Sequence, residues 1–397
     1  MRIAVSATGQ GMDSLVDPRF GRADYLLIIE TDTLEVVKVI DNRASQNAAH
    51  GAGINAASMV VDAGVQALRQ GRTRYTHSLG IPELREAVAG DYFKKYRVKV
   101  SPDQIIITPG TSPAMFLVFS AILDPGDEVI ISDPAYACYS NIVEYLHGKA
   151  VTVPVFEREG FQFEPRAVKK KISRRTKAIV INSPANPTGL LLDPGRMEQI
   201  AGLGPLVISD EIYHGLVYEG REHSILEFTD RAIVLNGFSK RYAMTGWRVG
   251  YCIVPEKFVR PLQKVAQNFF ISTADFSQRA ALAAIKYAEP EVEKMRKIFD
   301  QRRKFMVRRL REMGFGISRE PTGAFYVLAN ARKFCRDSYK FAFELLESAK
   351  VGVTPGIDFG KNGEGYLRFS YAADLKRIEQ GLDRIQNFLE ERRSEKL

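Results

Sequence analysis

Short runs rich in Val and Ile alternate with segments of helical character from about residue 100 onwards. Most of these runs end at Gly, Pro, Asn, Ser or Asp, and they are QIIITPG, EVIISDP, AVTVPV, KAIVINSP, PLVISDE, AIVLNGFS and RVGYCIV. Strands separated by helices favour a mostly parallel, doubly wound α/β sheet. Because open α/β sheets bind ligands at the carboxyl ends of their strands, we expect the functional residues at those ends.

The chain has 397 residues, more than one hydrophobic core usually accommodates. After residue 275 the sequence has a long helical region rich in Lys, Arg and Glu, then the runs FYVLAN, GVTPG and YLRFSYA and a last helix. This order is typical of a smaller α+β domain. We therefore predict an N-terminal segment over residues 1–65, a large domain over 66–275 and a small domain over 276–397.

Composition narrows the class of protein. Hydrophobic residues make up 45% and charged residues 26%, and no stretch of apolar residues is long enough to span a bilayer, so no membrane association is expected. The first residues lack the apolar core of a secretory signal, which predicts a cytoplasmic location. The net charge of +9 is spread along the chain, which favours a solvated basic face and anionic substrates over nucleic acid.

The three cysteines, Cys138, Cys252 and Cys335, are far apart in the sequence. This spacing predicts neither a disulfide framework nor a metal site.

The segment SKRYAMTGWRVG, residues 239–250, combines a lysine and an arginine in a loop between two predicted strands. A lysine amine condenses with an aldehyde and can then move a proton as a base, and the planar arginine fork suits a phosphate. Alone, Lys240 would be read as a surface lysine. The whole segment resembles the class I and II aminotransferases of pyridoxal 5'-phosphate (PLP) fold type I. The resemblance implies that Lys240 holds PLP as a Schiff base and that Arg248 binds its phosphate.

Two further segments follow predicted strands. Asp210 and Tyr213 come directly after PLVIS, and Asn186 follows AIVI within NSPANPTG. Taken alone, the segment with Asp210 would be interpreted as a helix cap and the segment with Asn186 as a Pro-Gly turn. The resemblance implies that Asp210 pairs with the pyridine nitrogen of PLP, whose ring then accepts electrons from the substrate. It also implies that Tyr213 and Asn186 form hydrogen bonds to the oxygen on the PLP ring.

The segment TPGTS joins a predicted strand to a predicted helix, and a helix N-terminus attracts phosphate. The resemblance makes Gly110, Thr111 and Ser112 phosphate-binding residues. It also implies that the ring of Tyr136 lies over the pyridine face, where the alternative reading is a core tyrosine.

Arg368 lies among apolar residues of a predicted strand, which is unusual for arginine. The resemblance implies that Arg368, with Asn186, binds the α-carboxylate of the substrate. Tyr75 matches a tyrosine that reaches the phosphate of a neighbouring subunit in relatives. This match predicts a homodimer with a shared active site.

Two positions depart from the family pattern. Gly237 stands where many relatives have a phosphate-binding serine, and Ser239 is a possible substitute. Ser112 stands where some aspartate-using relatives have a lysine, so a neutral or aromatic amino acid is expected as the donor.

The N-terminal segment carries a second resemblance. Residues 19–22 (RFGR) and 51–53 (GAG) are similar to the start of a dinitrogenase iron-molybdenum cofactor-biosynthesis domain. Only about the first two thirds of such a domain is present, so its sheet is expected to keep an exposed edge. The family's usual N-terminal arm is not found. Residues 1–65 contain no cysteine and only one histidine, His50, so no metal is expected to bind.

Three functions stay open at this point. The first is an aminotransferase that moves an α-amino group from an L-amino acid to a 2-oxo acid by a ping-pong mechanism. The second is another fold type I PLP enzyme, such as a carbon-sulfur lyase or a decarboxylase. The third is a non-catalytic PLP-binding protein. Formation of the pyridoxamine form of the cofactor distinguishes the first from the second.

Overall fold

The computed structural model describes residues 2–15, 25–31, 33–41 and 54–394. The chain divides into two compact units, Met1–Ile54 and Asn55–Leu397. The predicted boundary at residue 65 falls inside a helix, Ile54–Arg69, which belongs to the second unit from Asn55 onwards. Three features of the N-terminal resemblance lie outside the described residues, namely 19–22, 51–53 and His50.

The strands are β1 Arg2–Ala7, β2 Tyr25–Glu30, β3 Glu35–Asp41, β4 Ile105–Thr108, β5 Glu128–Asp133, β6 Lys149–Pro154, β7 Thr176–Asn182, β8 Leu206–Asp210, β9 Ala232–Gly237, β10 Gly250–Ile253, β11 Tyr326–Asn330, β12 Thr354–Pro355 and β13 Tyr366–Ser370. Every strand predicted from residue 100 onwards is present.

The α-helices are α1 Ile54–Arg69, α2 Pro82–Tyr96, α3 Thr111–Ile122, α4 Cys138–Tyr145, α5 Pro165–Lys169, α6 Pro194–Ala201, α7 Glu256–Phe269, α8 Asp275–Tyr287, α9 Glu289–Met313, α10 Ser338–Glu344 and α11 Leu375–Ser394. Short 3-10 turns lie at Pro102–Gln104, Glu157–Glu159, Ile225–Glu227, Thr245–Trp247, Gly356–Phe359 and Lys361–Gly363. A π-helical turn, Leu345–Ala349, extends α10.

The N-terminal unit is an antiparallel meander in the order β1-β2-β3. Side chains of a strand alternate between its two faces, and Tyr25, Leu27 and Ile29 of β2 form a small core with Ala7 of β1. In the described part of the chain, β1 and β3 each have one strand neighbour and are therefore the edges of this sheet.

The second unit is built on a seven-stranded sheet in the order β4-β10-β9-β8-β7-β5-β6. The pairs from β9 to β6 are parallel, and β10 is antiparallel to both of its neighbours. The predicted mostly parallel, doubly wound sheet is therefore confirmed.

Both faces of this sheet are buried except at the edge strand β6, which is partly exposed. Alternating residues of one strand enter two different cores, as Ile179 and Ile181 of β7 contribute to one core and Ala178 and Val180 to the other. Strands buried on two faces consist almost entirely of apolar residues, which explains the continuous apolar runs in the sequence. Polar side chains can then reach a ligand only where the strands end.

The strand ends gather at one edge of the sheet. Asn182, Asp210 and Gly237 are the last residues of three adjacent parallel strands, β7, β8 and β9. Because β10 runs antiparallel to β9, the residues that precede it come to the same edge. The sheet thereby places Arg248, two residues before β10, beside the end of β9.

The chain after residue 275 contains the predicted helices and a second, antiparallel sheet in the order β11-β13-β12. The register places Leu328 of β11 and Thr354 of β12 on either side of Arg368 in β13. None of the described helices is both long and apolar enough to cross a membrane.

Glu211, which follows β8, is fully buried in a polar network. Its carboxylate accepts hydrogen bonds from the hydroxyls of Tyr92 (3.0 Å), Ser209 (3.1 Å) and Ser224 (3.0 Å) and from the backbone N–H of Ile225 (3.0 Å). Burial raises the pKa of Glu211. The network joins α2 to the end of β8 beneath the strand ends described above.

Replacing Glu211 by alanine leaves these buried donors without an acceptor. We expect Glu211→Ala to lower the free energy of unfolding by about 3 kcal/mol. Urea unfolding followed by the fluorescence of Trp247, the single tryptophan of the chain, measures the change. Glu86→Ala, at an exposed position of α2, is the control and should change stability by less than about 0.5 kcal/mol. Equal effects of the two substitutions would contradict the structural role of the network.

Candidate active site

A cavity of about 370 Å³ lies at the carboxyl ends of β7 and β8. Its volume is within the usual range for small-molecule sites, roughly 300–1,000 Å³. It is lined by Thr111, Ser112, Met115, Tyr136, Tyr139, Asn182, Asn186, Asp210, Ile212, Tyr213, Ser239, Lys240, Thr245, Arg248, Tyr326 and Arg368. Nine of the residues predicted from the sequence are thereby brought together, although they come from segments more than 250 residues apart.

Lys240 lies in the loop between β9 and β10 and is half-buried. Its Nζ is 5.6 Å from the centroid of the Phe325 ring. Burial lowers the pKa of the Lys240 amine; the Arg248 and Arg368 charges lower it further, whereas Asp210 opposes the shift. A lowered pKa increases the fraction of neutral amine, which is the form that attacks a carbonyl.

Asp210 is buried at the end of β8. Its Oδ2 accepts a hydrogen bond from the Tyr139 hydroxyl at 2.7 Å, and its Oδ1 accepts one from the Ile212 N–H at 3.2 Å. Burial raises the pKa of Asp210 to about 6, and the neighbouring Glu211 charge adds to the rise. A carboxylate in such a low-dielectric position favours a positively charged partner, such as a protonated ring nitrogen.

Arg248 lies against the N-terminus of α3. Gly110 caps the helix at φ 111°, and a Cβ at this position would lie 2.4 Å from the Arg248 Nη2. The guanidinium therefore passes directly over a glycine that has no room for a side chain. The first N–H groups of a helix have no partner within the helix, and they add to the positive charge of Arg248. A phosphate group fits this arrangement.

Arg368 is held by residues of several elements. Its Nη1 donates to the Asn186 Oδ1 at 2.8 Å and its Nη2 to the Thr354 Oγ1 at 3.0 Å. Its guanidinium carbon lies 4.3 Å from the centroid of the Tyr326 ring and 4.8 Å from that of Phe359. These contacts fix a cation in the wall of the cavity, where a carboxylate can bind it with two hydrogen bonds.

The predicted aromatic residues differ in position. Tyr213 is buried and donates a hydrogen bond to the Tyr326 hydroxyl at 3.1 Å, and burial raises its pKa well above the usual value. Tyr136 lines the cavity and packs edge-on against Tyr139, with the ring centroids 5.6 Å apart. Tyr75, in the segment between α1 and α2, does not line the cavity, and its exposed fraction is 80%.

Close packing explains why residue 237 is a glycine and not the serine that many relatives have. A Cβ at this position would lie 2.9 Å from the Thr111 Oγ1 and 3.0 Å from the Gly250 Cα. The end of β9 therefore packs too closely on α3 and β10 for the family's serine. Ser239, the possible substitute, lines the cavity.

Sequence reasoning missed three residues that hold the predicted ones in place. They are Tyr139, the hydrogen-bond donor to Asp210, and Tyr326 and Thr354, which contact Arg368. Tyr139 is three residues from Tyr136, which is the only local signal for it. Nothing in the sequence near Tyr326 or Thr354 marks them, because their roles depend on contacts with distant segments.

Comparison with known proteins agrees with this geometry. Residues 44–385 match the family described as "Aminotransferase class I and II", and the chain belongs to this family. Residues 1–72 match the family described as "Dinitrogenase iron-molybdenum cofactor", which confirms the second resemblance. The two matches overlap in the region that contains α1.

Relatives with different substrates are similar to the chain. The (5-formylfuran-3-yl)methyl phosphate transaminase of Methanocaldococcus jannaschii is 43% identical over 84% of this chain and 88% of its own length. An aspartate aminotransferase of Pyrococcus horikoshii is 39% identical over 83% of this chain and 87% of its own length. The crystal structure of an aromatic aminotransferase from Pyrococcus horikoshii has a TM-score of 0.81 and 37% identity, and covers 84% of this chain and 92% of that chain.

The protein is therefore an aminotransferase of PLP fold type I, and PLP is its cofactor. The cavity fits this molecule, since it combines a lysine amine, a buried carboxylate and an anion site at a helix N-terminus. PLP supplies an aldehyde that condenses with amines and a ring that accepts electrons from the substrate α-carbon. The other fold type I activities and the non-catalytic alternative are not supported by these relatives.

The raised pKa of Asp210 predicts how pH affects the apoenzyme. The folded protein binds a proton at Asp210 more tightly than the unfolded chain, whose aspartate has a pKa of 3.8. The ionised carboxylate therefore lowers the free energy of unfolding, and this loss develops as the pH rises from about 4 to about 6. Asp210→Asn removes the charge and should stabilise the apoenzyme by up to about 3 kcal/mol at about pH 7.5.

Urea unfolding of the apoenzyme at about pH 4 and about pH 7.5 tests this expectation, with little difference between variant and parent at the lower pH. Asp124→Asn, at an exposed position, should leave stability unchanged at both pH values. An Asp210→Asn variant that is less stable than the parent at the higher pH would show that the charge is compensated in the fold.

Proposed function

We propose that this aminotransferase moves the α-amino group of an L-amino acid to a 2-oxo acid in two half-reactions, with Lys240 carrying PLP as a Schiff base. The observation that carries the proposal is that the Lys240 amine shares one cavity with Asp210, Arg248 and Arg368. Each of these four groups suits a different part of the cofactor or the substrate. With PLP bound, the Lys240 amine would hold the cofactor through its aldehyde, would give up that place to the donor amine, and would then be free to move a proton at the substrate α-carbon.

The roles of the other residues follow from their chemistry. Asp210 pairs with the ring nitrogen, since a buried carboxylate is stabilised by a positive partner. Asn186 and Tyr213 donate hydrogen bonds to the ring oxygen, and Tyr136 covers the face of the ring. Arg248 binds the phosphate together with Gly110, Thr111 and Ser112 at the start of α3.

Arg368 binds the carboxylate that donor and acceptor share. Its contacts with Asn186 and Thr354 hold the guanidinium before any substrate arrives, so little entropy is lost when the substrate binds. The presence of Ser112, where some relatives have lysine, supports a neutral or aromatic donor over aspartate.

A homodimer is part of the proposal. The highly exposed Tyr75 supports a contact with the phosphate site of a second copy. Further exposed aromatic and aliphatic side chains, at Tyr145 (73%), Phe269 (66%) and Ile271 (48%), provide apolar surface for a partner. Light scattering of the purified protein measures the mass of the assembly, and a monomer would contradict this part of the proposal.

The main experiment is a visible spectrum of the purified protein with PLP, recorded before and after addition of L-glutamate, L-alanine, L-aspartate or L-phenylalanine. We expect a band that depends on Lys240, its conversion to the pyridoxamine form by a donor, and its recovery with a 2-oxo acid. Lys240→Ala should lack the initial band.

Two outcomes would contradict the proposal. A donor that is consumed without formation of the pyridoxamine form would indicate lyase or decarboxylase chemistry. A band that survives in Lys240→Ala would show that another amine holds the cofactor.

The proposed role of Arg368 predicts a selective loss of substrate affinity. Arg368→Gln removes a charged pair of hydrogen bonds, so KM for the donor should rise about 10- to 100-fold. Steady-state kinetics with the fastest donor measure the change. Arg336→Gln, which removes an exposed arginine that lines no part of the cavity, is the matched control. Equal KM values for Arg368→Gln and the parent would exclude Arg368 from carboxylate binding.

A further inference from the structure

The loop that carries Lys240 is a compact turn. The N–H of Tyr242 donates to the Phe238 carbonyl at 3.3 Å, and the N–H of Ala243 donates to the Lys240 carbonyl at 3.3 Å. These two bonds are long, and they lie within the loop itself. Contacts with the rest of the protein must therefore determine where the loop, and with it the Lys240 amine, is placed.

Arg241, the next residue, makes such contacts. Its exposed fraction is 6%. Its Nη1 donates to the Asp91 Oδ2 at 3.1 Å, and its Nη2 makes a short contact with the Glu289 carboxylate. Asp91 belongs to α2 and Glu289 begins α9, so one side chain ties the loop to two separate helices.

The carboxylate of Asp91 is itself fixed. Its exposed fraction is 17%, and the Lys95 Nζ lies 2.5 Å from the same oxygen that Arg241 contacts. Burial raises the pKa of Asp91, and the charges of Arg241, Lys94 and His214 oppose that rise, with Arg241 the largest of the three. Losing the arginine would leave a mostly buried carboxylate with one cation fewer.

Helix α2 also holds the other end of the loop. The Asn236 Nδ2 donates to the Tyr92 hydroxyl at 3.2 Å, and Tyr92 donates to Glu211. The chain from Asn236 to Arg241 is thus attached to adjacent residues of α2 on both sides of Lys240.

The path of the Arg241 side chain leaves little freedom. Gly215 has a φ of 86°, and a Cβ there would lie 2.7 Å from the Arg241 Cδ and 2.8 Å from its Cγ. The guanidinium carbon lies 4.9 Å from the centroid of the Tyr242 ring. Arg241 does not line the active-site cavity, so it touches neither cofactor nor substrate there.

We infer that Arg241, clamped between Asp91 and Glu289, is a positioning residue that holds Lys240 at its place in the cavity. The inference rests on the proposed role of Lys240. A shift of the loop by about 1 Å would misplace the amine, and errors of that size reduce rates by up to about 100-fold. The amine would also become more exposed to water, which reduces the effect of burial on it.

The test compares Arg241→Met with the parent enzyme reconstituted with PLP. We expect kcat to fall about 10- to 100-fold while KM for the donor stays within about twofold, because the substrate contacts are untouched. A second readout is the rate at which the apoenzyme captures PLP as a function of pH. Only the neutral amine attacks the aldehyde, so the midpoint of this profile reports the pKa of the Lys240 amine. The charged groups that face this amine are Asp210, Arg248 and Arg368. The midpoint should move upward by about half a pH unit or more.

Two further variants separate positioning from stability. Arg241→Met leaves the buried Asp91 carboxylate with one cation fewer, and the double variant Asp91→Asn/Arg241→Met removes that carboxylate. The double variant should therefore regain thermal stability, whereas its kcat should stay low. Lys95→Met removes the other cation at Asp91 without touching the loop, and should leave both kcat and the pH midpoint unchanged.

The inference is overturned if kcat of the double variant returns to the parental value, or if Lys95→Met lowers kcat as much as Arg241→Met. It is also overturned if the pH midpoint of Arg241→Met equals that of the parent. Failure of the proposed function would appear separately, as the absence of a Lys240-dependent band in the unsubstituted protein.

Discussion

The burial of the central strands of the seven-stranded sheet on both faces determines where the second unit can place its functional groups. Strands with no solvent-facing side must be apolar throughout, so the polar groups needed for chemistry collect where the strands end. At the end of β8 two carboxylates follow one another, and their side chains go to different places. Asp210 enters the cavity and accepts a hydrogen bond from Tyr139, whereas Glu211 enters the network beneath it. One strand end thus supplies a group for chemistry and a group for stability.

Positively charged groups outnumber negatively charged ones in the cavity. Lys240, Arg248 and Arg368 contribute three cationic groups, and Asp210 is the one carboxylate among the residues that line the cavity. The excess of positive charge suits a phosphate and a substrate carboxylate. Burial lowers the pKa of the Lys240 amine and so favours its reactive form; the charge of Asp210 opposes this shift, and those of Arg248 and Arg368 add to it. Binding and reactivity are therefore linked through the same few charges.

Helix α1 connects the two kinds of sequence found in this chain. It lies in the overlap between the two family matches, and it belongs to the second compact unit from Asn55 onwards. Gly64 of this helix faces Trp247, and a Cβ at Gly64 would lie 2.5 Å from the indole ring. Since Trp247 directly precedes Arg248, this helix packs against the loop that carries the proposed phosphate-binding arginine.

The sequence by itself determined the order of strands and helices, the mostly parallel sheet and nine of the residues that line the cavity. Apolar runs predict buried strands, and the functional residues around Lys240 are close together in the sequence, so they form a recognisable motif. Tertiary structure alone decided which side chains hold those residues in place. Tyr139, Thr354 and Asp91 act across long stretches of chain, and a single sequence gives no sign of which distant residues meet. The close packing around Gly237 has the same origin, because the space left for a side chain depends on the neighbouring elements.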